Sequence, residues 1–507
     1  MRRSLAAAVI LGTILSLGAV PAAGAPKRGG TLRVAMEGNV PHLDGAAVTG
    51  TIIKFYREIA GSSLVMLNEK YEIVGDLAHK WEISDEGRVI TFHLRPGAKF
   101  HDGTPLDAEA VKWNLDVING RVETEWMKEE RKRNPNFKFN TTYNLYLYQV
   151  KRVEVVDKHT VRLHQQDLGK GMTLPALAGY FTRPVLVSPK AYDKDIDQFR
   201  KMPVYSGPFK IVEHKHNQYV NLERFKDYYI QGRPYLDRVE VLYMPDANQR
   251  LNALRAGEID IINSVPLSLV QTLEKTSGVK LYTDKTATTL AAPINNRRGA
   301  FADIRVRKAL GCYGVDRGLI AKTALRGLTV PWATFASPGA KDALDLTAEC
   351  PFDPAKAKQL LAQAGHGPQN PFKFAMVVMN TDPTYLEVAQ VMKTAYAQMG
   401  VQMDIQVVDR ATWGNQFVTK RVVDMTIQDS LPTYDMNSGS HTFYSKTFLD
   451  YYMMKDPKAD AMVEEWRSAI DPRKQDEISH RLQRYILEQG YYPALAGSPF
   501  IQDARDH

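Results

Sequence analysis

The sequence predicts an α/β chain, or one of α+β layers, divided into two or three lobes. Three observations carry this expectation. Strand-like and helix-like signals alternate along the whole chain, which argues for helices layered on sheets. At 507 residues the chain exceeds what one hydrophobic core usually supports. No internal repeat, low-complexity tract or Gly/Ser-rich tether interrupts it, so the lobes are expected to be joined by short crossings.

The elements follow in order. Thr31-Leu32-Arg33-Val34-Ala35-Met36 alternates at period two, and Val89-Ile90-Thr91-Phe92-His93-Leu94 does so again before Arg95-Pro96-Gly97. Asp102-Gly103-Thr104-Pro105 is a turn by composition. A helix follows from about Asp107, which can cap it, with Val111, Leu115 and Ile118 on one face. Residues 120–148 are rich in charge and then in tyrosine. Short strands are expected at 209–212, 219–222 and 239–242, then a helix over 248–256 stopped by Gly257, and a strand over 259–262. Asp353-Pro354 opens a helix ended by Gly365, with Leu360, Leu361 and Ala364 inward. Asp471-Pro472 opens another, with Ile478, Leu482, Tyr485 and Ile486 inward and Gly490 at its end. Asp caps, Pro suits the first helical position, and Gly accepts the left-handed position after the last turn. Between these two, a helix over 385–399 ends at Gly400, and Val401, Met403, Ile405 and Val407 alternate as a strand.

Composition removes several function classes. Hydrophobic residues at 44% and charged residues at 24% are those of a folded protein. A net charge of +8 is mild for this length and indicates no nucleic-acid partner, which would need a concentrated basic patch. Two cysteines cannot form a disulfide scaffold.

Residues 1–25 read as a secretory signal: Arg2-Arg3, an apolar stretch from Leu5 to Val20, Pro21, and an Ala23-Gly24-Ala25 cleavage site. Cleavage near Ala25 removes two arginines and no acid, so +8 becomes +6. No cysteine lies near that site for a lipid anchor. Export into a bacterial periplasm is the expectation. In that oxidising compartment Cys312 and Cys350 could pair, or Cys312 could stay buried and free. Only their Cα separation decides between these.

A search for catalytic or metal chemistry finds little. The chain lacks H-E-x-x-H, G-x-S-x-G, a Walker A loop, G-x-G-x-x-G and C-x-x-C. No cofactor, no metal and no catalytic residue are expected. His214 and His216, two apart, would share one face of a strand, close enough to hold a metal. Their polar neighbours Glu213, Lys215 and Asn217 equally suit a solvated strand edge.

The segments above resemble, in order, family 5 of the extracytoplasmic solute-binding proteins, the peptide, nickel and oligopeptide-type receptors of ATP-binding-cassette (ABC) importers. The resemblance opens at Gly29-Gly30-Thr31-Leu32-Arg33-Val34 and at Pro41-His42-Leu43-Asp44. It is strongest at Gly75-Asp76-Leu77-Ala78-His79-Lys80-Trp81-Glu82 and through Phe100-His101-Asp102-Gly103-Thr104-Pro105-Leu106. It continues at Gly207-Pro208-Phe209, Leu254-Arg255-Ala256-Gly257-Glu258, Asp303-Ile304-Arg305-Val306-Arg307, Asp316-Arg317 and Phe352-Asp353-Pro354.

The resemblance implies a three-lobed type II periplasmic-binding-protein fold with a hinge between lobes I and III. Lobe I is expected at 26–55, 186–286 and 492–507, lobe II at 56–185, and lobe III at 287–491. The crossings are expected near 287–296 and 493–500. It further implies a peptide or peptide-like solute held between lobes I and III by a monomer and delivered to an inner-membrane permease.

The ligand-binding positions it implies depart from the family pattern. Peptide-binding members carry a Trp-x-x-Asp element whose aspartate pairs with the ligand's amino group. Here the stretch from Gln428 to Asn437 has no tryptophan, and either Asp429 or Asp435 takes the carboxylate role. The arginine of some dipeptide receptors is replaced near Asn380. Gly38 and Asn39 would offer polar contacts from lobe I, and Trp413 and Tyr434 apolar walls. The helix around Gly311-Cys312-Tyr313-Gly314 is one residue longer than the family's usual pattern. A receptor for a non-peptide solute or a metal chelate, using His42 or His441, and a secreted hydrolase are the alternatives.

Overall fold

The computed structural model describes residues 27–38, 42–46, 51–68, 72–135, 150–165, 185–380, 382–429, 443–445, 454–469 and 471–505. The expected signal segment and Asn39, Tyr434, Asp435 and His441 lie outside the described residues.

In chain order the strands are β1 Thr31–Met36, β2 Val65–Leu67, β3 Ile73–Gly75, β4 Ala78–Ser84, β5 Val89–Leu94, β6 Val150–Asp157 and β7 Thr160–Gln165. Then come β8 Phe209–Lys215, β9 Tyr219–Arg224, β10 Arg238–Tyr243, β11 Ile261–Ile262 and β12 Val279–Ala291. The last are β13 Lys373–Met379, β14 Gln402–Val408, β15 Met425–Thr426, β16 Gln428–Asp429 and β17 Ala494–Arg505.

Among the described residues three sheets organise the fold, with β2 and β3 forming a small ribbon. A mixed eight-stranded sheet has the order β16-β12-β17-β11-β1-β10-β9-β8. Its centre is parallel, β1 pairing with both β10 and β11. An antiparallel sheet, β4-β5-β7-β6, stands on a separate core that includes Phe92, Phe100, Val111, Leu115 and Leu163. A parallel sheet, β14-β13-β15, is covered by a third core that includes Met376, Val378, Val388 and Tyr396.

The burial patterns follow from these positions. β5 is half-buried, and its residues alternate buried and partly buried, as on a sheet with one wet face. β13 is the central parallel strand, so Phe374 and the run from Met376 to Met379 are buried, as expected when both faces are covered.

Helix boundaries are set by the expected caps. Asp107 accepts from the Ala110 amide and opens Ala108–Ile118, burying Val111, Leu115 and Ile118. Asp353 and Asp471 cap Pro354–Gln363 and Pro472–Glu488, with Gly365 and Gly490 at φ 86° and 63° beyond them. The same Asp-Pro device occurs twice more. Asp382 opens Pro383–Ala397, two residues earlier than the alternation suggests, and Asp456 opens Pro457–Ser468. Such a cap contributes about 1 kcal/mol. The strand expected over 259–262 is shorter, only Ile261–Ile262 pairing with β1 and β17.

Two further readings are resolved. Cys312 and Cys350 are bonded, their Cα atoms 5.0 Å apart, in a small core with Ala333, Leu346 and Leu487. The extra residue around Gly311 is absorbed by a π-helical turn, Ala309–Tyr313, the usual way an α-helix accommodates one insertion.

The connection between the large sheet and the third core is made of paired strands. β12 and β17 run antiparallel from Val279↔Arg505 to Ala291↔Ala494, with a register irregularity between Asp284 and Thr288. Beyond β12, Ile294 bridges to Met425 of β15. Stretches 287–296 and 493–500 therefore fall on the ends of these strands next to the third core.

Candidate functional site

In open sheets with parallel strands, ligands sit beyond the carboxyl ends of those strands. Among the described residues there are two such edges. Gly38 follows the end of β1, and Asn380 follows the end of β13, its amide donating to the Val408 carbonyl of β14 at 2.9 Å. Gly38 packs closely on the helix Thr51–Ala60, since a Cβ there would lie 2.6 Å from Ile52 Cδ1. Asn380 is exposed.

Asp429 sits where the crossing strands meet the third core. It pairs with Leu290 in β12. Its Oδ2 accepts from the Tyr385 hydroxyl at 2.8 Å, and its carboxyl also accepts from the Ser498 side chain of β17. One side chain thus ties β16, the first turn of Pro383–Ala397 and the returning strand together. Asp429 has accessible surface, yet protein surrounds it on several sides. Lost hydration there pushes its carboxyl above the ordinary aspartate value. The hydrogen bonds from Ser498 and Tyr385 oppose this, and the nearby charge of Asp382 adds to it. Burial and the Asp429 charge together push the Tyr385 hydroxyl strongly up, so it stays a donor.

Chemically, the site offers a carboxylate held by the Tyr385 and Ser498 side chains, with a second acid, Asp382, close by. A cationic or hydrogen-donating group entering it would restore what hydration Asp429 lacks.

Trp413 is half-buried, its indole Nε1 donating to Thr426 Oγ1 at 2.8 Å and its ring 5.1 Å from Phe417. Its polar atom is therefore committed within the third core. His42 accepts the Asp44 amide at Nδ1, 3.3 Å away. Burial, with the Arg200 charge adding, holds His42 below the ordinary histidine value.

Asp382, Tyr385 and Ser498 were not among the expected site residues. A third Asp-Pro pair could have signalled Asp382. Nothing in the sequence signals Ser498, whose place depends on strand pairing. A depression of about 450 Å³ beside the helix Ala247–Ala256 is lined by Met244, Asp246 and Glu258 among others, and by none of the candidate residues.

Two bodies built on parallel strands and joined by paired strands define a binding protein of the type II periplasmic class. The chain belongs to the bacterial extracellular solute-binding proteins of family 5, whose middle-region model matches residues 72–450. Among curated relatives, the oligopeptide-binding protein AppA of Bacillus subtilis is 27% identical, covering 93% of this chain and 87% of that protein. The glutathione-binding protein GsiB of Escherichia coli K12 is 26% identical, over 74% of this chain and 69% of that one. The structure of B. subtilis AppA in complex with a nonapeptide superposes with a TM-score of 0.80 at 23% identity, covering 95% of each chain. The A. tumefaciens R10 protein AgaA in complex with agropinic acid gives 0.78 at 26% identity, over 94% of this chain and 93% of that one. The family and these relatives are binding proteins, not enzymes. Among the described residues, no helix is long and apolar enough to cross a membrane.

Proposed function

We propose that this chain is the substrate-binding component of an ABC importer that captures a peptide or peptide-like solute between lobes I and III. It works without chemistry of its own, as an exported monomer cleaved near Ala25, and presents the loaded form to an inner-membrane permease. Lobe I comprises 26–55, 186–286 and 492–507, lobe II 56–185 and lobe III 287–491, a division supported by the three sheets and their separate cores. The observation that carries the reading is Asp429, a carboxylate on the strand that pairs with the crossing and accepts from the Tyr385 hydroxyl. It anchors the solute's cationic group. By the family resemblance, Asp435 is the alternative to Asp429 in this role, Tyr434 an apolar contact, and Gly38, Asn39 and Asn380 polar contacts. Trp413 holds the wall from behind.

Calorimetric titration of a peptide library tests this. Peptides with a free amino terminus should bind, and Asp429→Asn should lose a charge-assisted hydrogen bond of about 1.5–3 kcal/mol, about 10- to 150-fold in affinity. Heat from a non-peptide solute and from no peptide removes the peptide reading. Unchanged affinity in Asp429→Asn removes the anchor. A non-peptide polar solute is the second reading, favoured by the missing tryptophan between Gln428 and Asn437.

A further inference from the structure

We propose that His214 and His216 form a two-histidine chelate for a borderline transition-metal ion such as Cu²⁺ or Ni²⁺, on the edge of the sheet opposite the solute cleft.

His214 lies near the end of β8, and Gln218 donates its amide to the Lys215 carbonyl to close the turn into β9. Asn217 holds the left-handed conformation of that turn at φ 58°, which asparagine tolerates better than most residues. The backbone carrying both rings is therefore fixed by strand pairing on one side and a tight turn on the other. This pre-organisation reduces the ordering cost of binding.

The His214 ring is also set in the state a metal needs. Its Nδ1 lies 2.9 Å from the Lys201 carbonyl. A carbonyl can only accept, so Nδ1 carries the proton and Nε2 keeps its lone pair. Histidine ligands in metal sites are oriented in this way, by giving the other ring N–H to a carbonyl or carboxylate.

The spacing fits. The two ring centroids are 6.2 Å apart. Metal–nitrogen bonds of about 2.0–2.1 Å place the centroids of two ligands on one ion at most about 6.4 Å apart, and about 5 Å apart at a tetrahedral angle. The observed spacing lies inside that upper bound. Among the described residues no group of three or more His, Cys, Asp or Glu could hold a metal, so water completes the coordination. Imidazole ligands suit copper, nickel and zinc, with copper bound most strongly.

The site is separate from solute capture. β8 and β16 are the two edges of the eight-stranded sheet. Seven strand spacings of about 4.8 Å separate them by roughly 34 Å.

The test uses the full mature chain without a polyhistidine tag, stripped of metal and titrated with Cu²⁺ or Ni²⁺ alone. One equivalent should bind in the micromolar range. His214→Gln and His216→Gln should each weaken it by at least the roughly 10- to 100-fold seen on losing a mere outer partner, with unchanged melting temperatures. The Cu²⁺ electron paramagnetic resonance spectrum should show coupling to two imidazole nitrogens. Wild-type affinity in either variant, or a spectrum without that coupling, overturns the chelate. The chain has 12 histidines, so the paired variants, rather than stoichiometry, decide.

Discussion

Replacing Arg317 with methionine should lower the melting temperature of the domain that holds it by about 6–12 °C. Arg317 is 4% exposed. Its guanidinium donates to the carbonyls of Gly311 at 2.7 Å, Ala494 at 2.8 Å, Cys350 at 3.1 Å, and Cys312 and Trp332 at 3.2 Å each. One side chain thereby joins the π turn, the disulfide-bonded loop and the start of β17. Burial lowers its pKa to about 10, so it is charged at neutral pH. Methionine keeps much of the volume but leaves five carbonyls without that donor. At the low end of about 1 kcal/mol each, the loss is about 5 kcal/mol. Relief of the buried charge returns part of it, leaving roughly 3 kcal/mol, and each kcal/mol moves a domain of this size by about 2–4 °C. Arg317→Lys should be no better, because three donors on a point charge cannot serve five acceptors placed for a planar fork. Scanning calorimetry reads the shift. A methionine variant that melts within 2 °C of wild type would refute the reasoning.

Three further outcomes are expected. His101 is buried, bonded through Nε2 to the Gly207 carbonyl at 3.0 Å, and burial lowers its pKa from 6.5 to about 4. The unfolded chain then binds the extra proton between those values, so stability is complete above pH 6.5 and falls toward pH 4 by up to roughly 3 kcal/mol. Urea midpoints across that range should flatten in His101→Gln. Gly207→Ala should cost about 1–3 kcal/mol by overpacking, since a Cβ would lie 2.4 Å from the Gly61 carbonyl oxygen and 2.6 Å from that of Ala60. An unshifted denaturation midpoint would show that the backbone can yield there. Replacing Cys312 and Cys350 by serine opens a 38-residue separation, for which loop closure gives about 4 kcal/mol. Thiol titration of the unfolded wild type should find no free thiol.

The sequence revealed local structure well, because caps and turns use short-range chemistry. Asp107, Asp353 and Asp471 act where they stand. The resemblance left Asp429 and Asp435 as alternatives and said nothing of what holds Asp429. Tyr385 and Ser498 lie 44 positions before it and 69 after it in the sequence; the pairing of β12 with β16 and β17 brings Ser498 close, and the helix Pro383–Ala397 brings Tyr385. The roles of Gly207 and Arg317 were equally invisible, since each depends on backbone groups brought close by folding. The extra residue before Gly314 was visible as a length difference. Its form as a π turn was not.

Asp429 rides on the strand that pairs with the crossing itself. A point on a pivot travels least when two bodies turn about it. Closure of the lobes would leave this carboxylate nearly stationary while the walls around it sweep inward. A solute could then be tethered at the pivot first and enclosed afterwards, without letting go of its anchor. The order of events would be written into the position of one acid, and the lifetime of the open encounter would depend on that single contact.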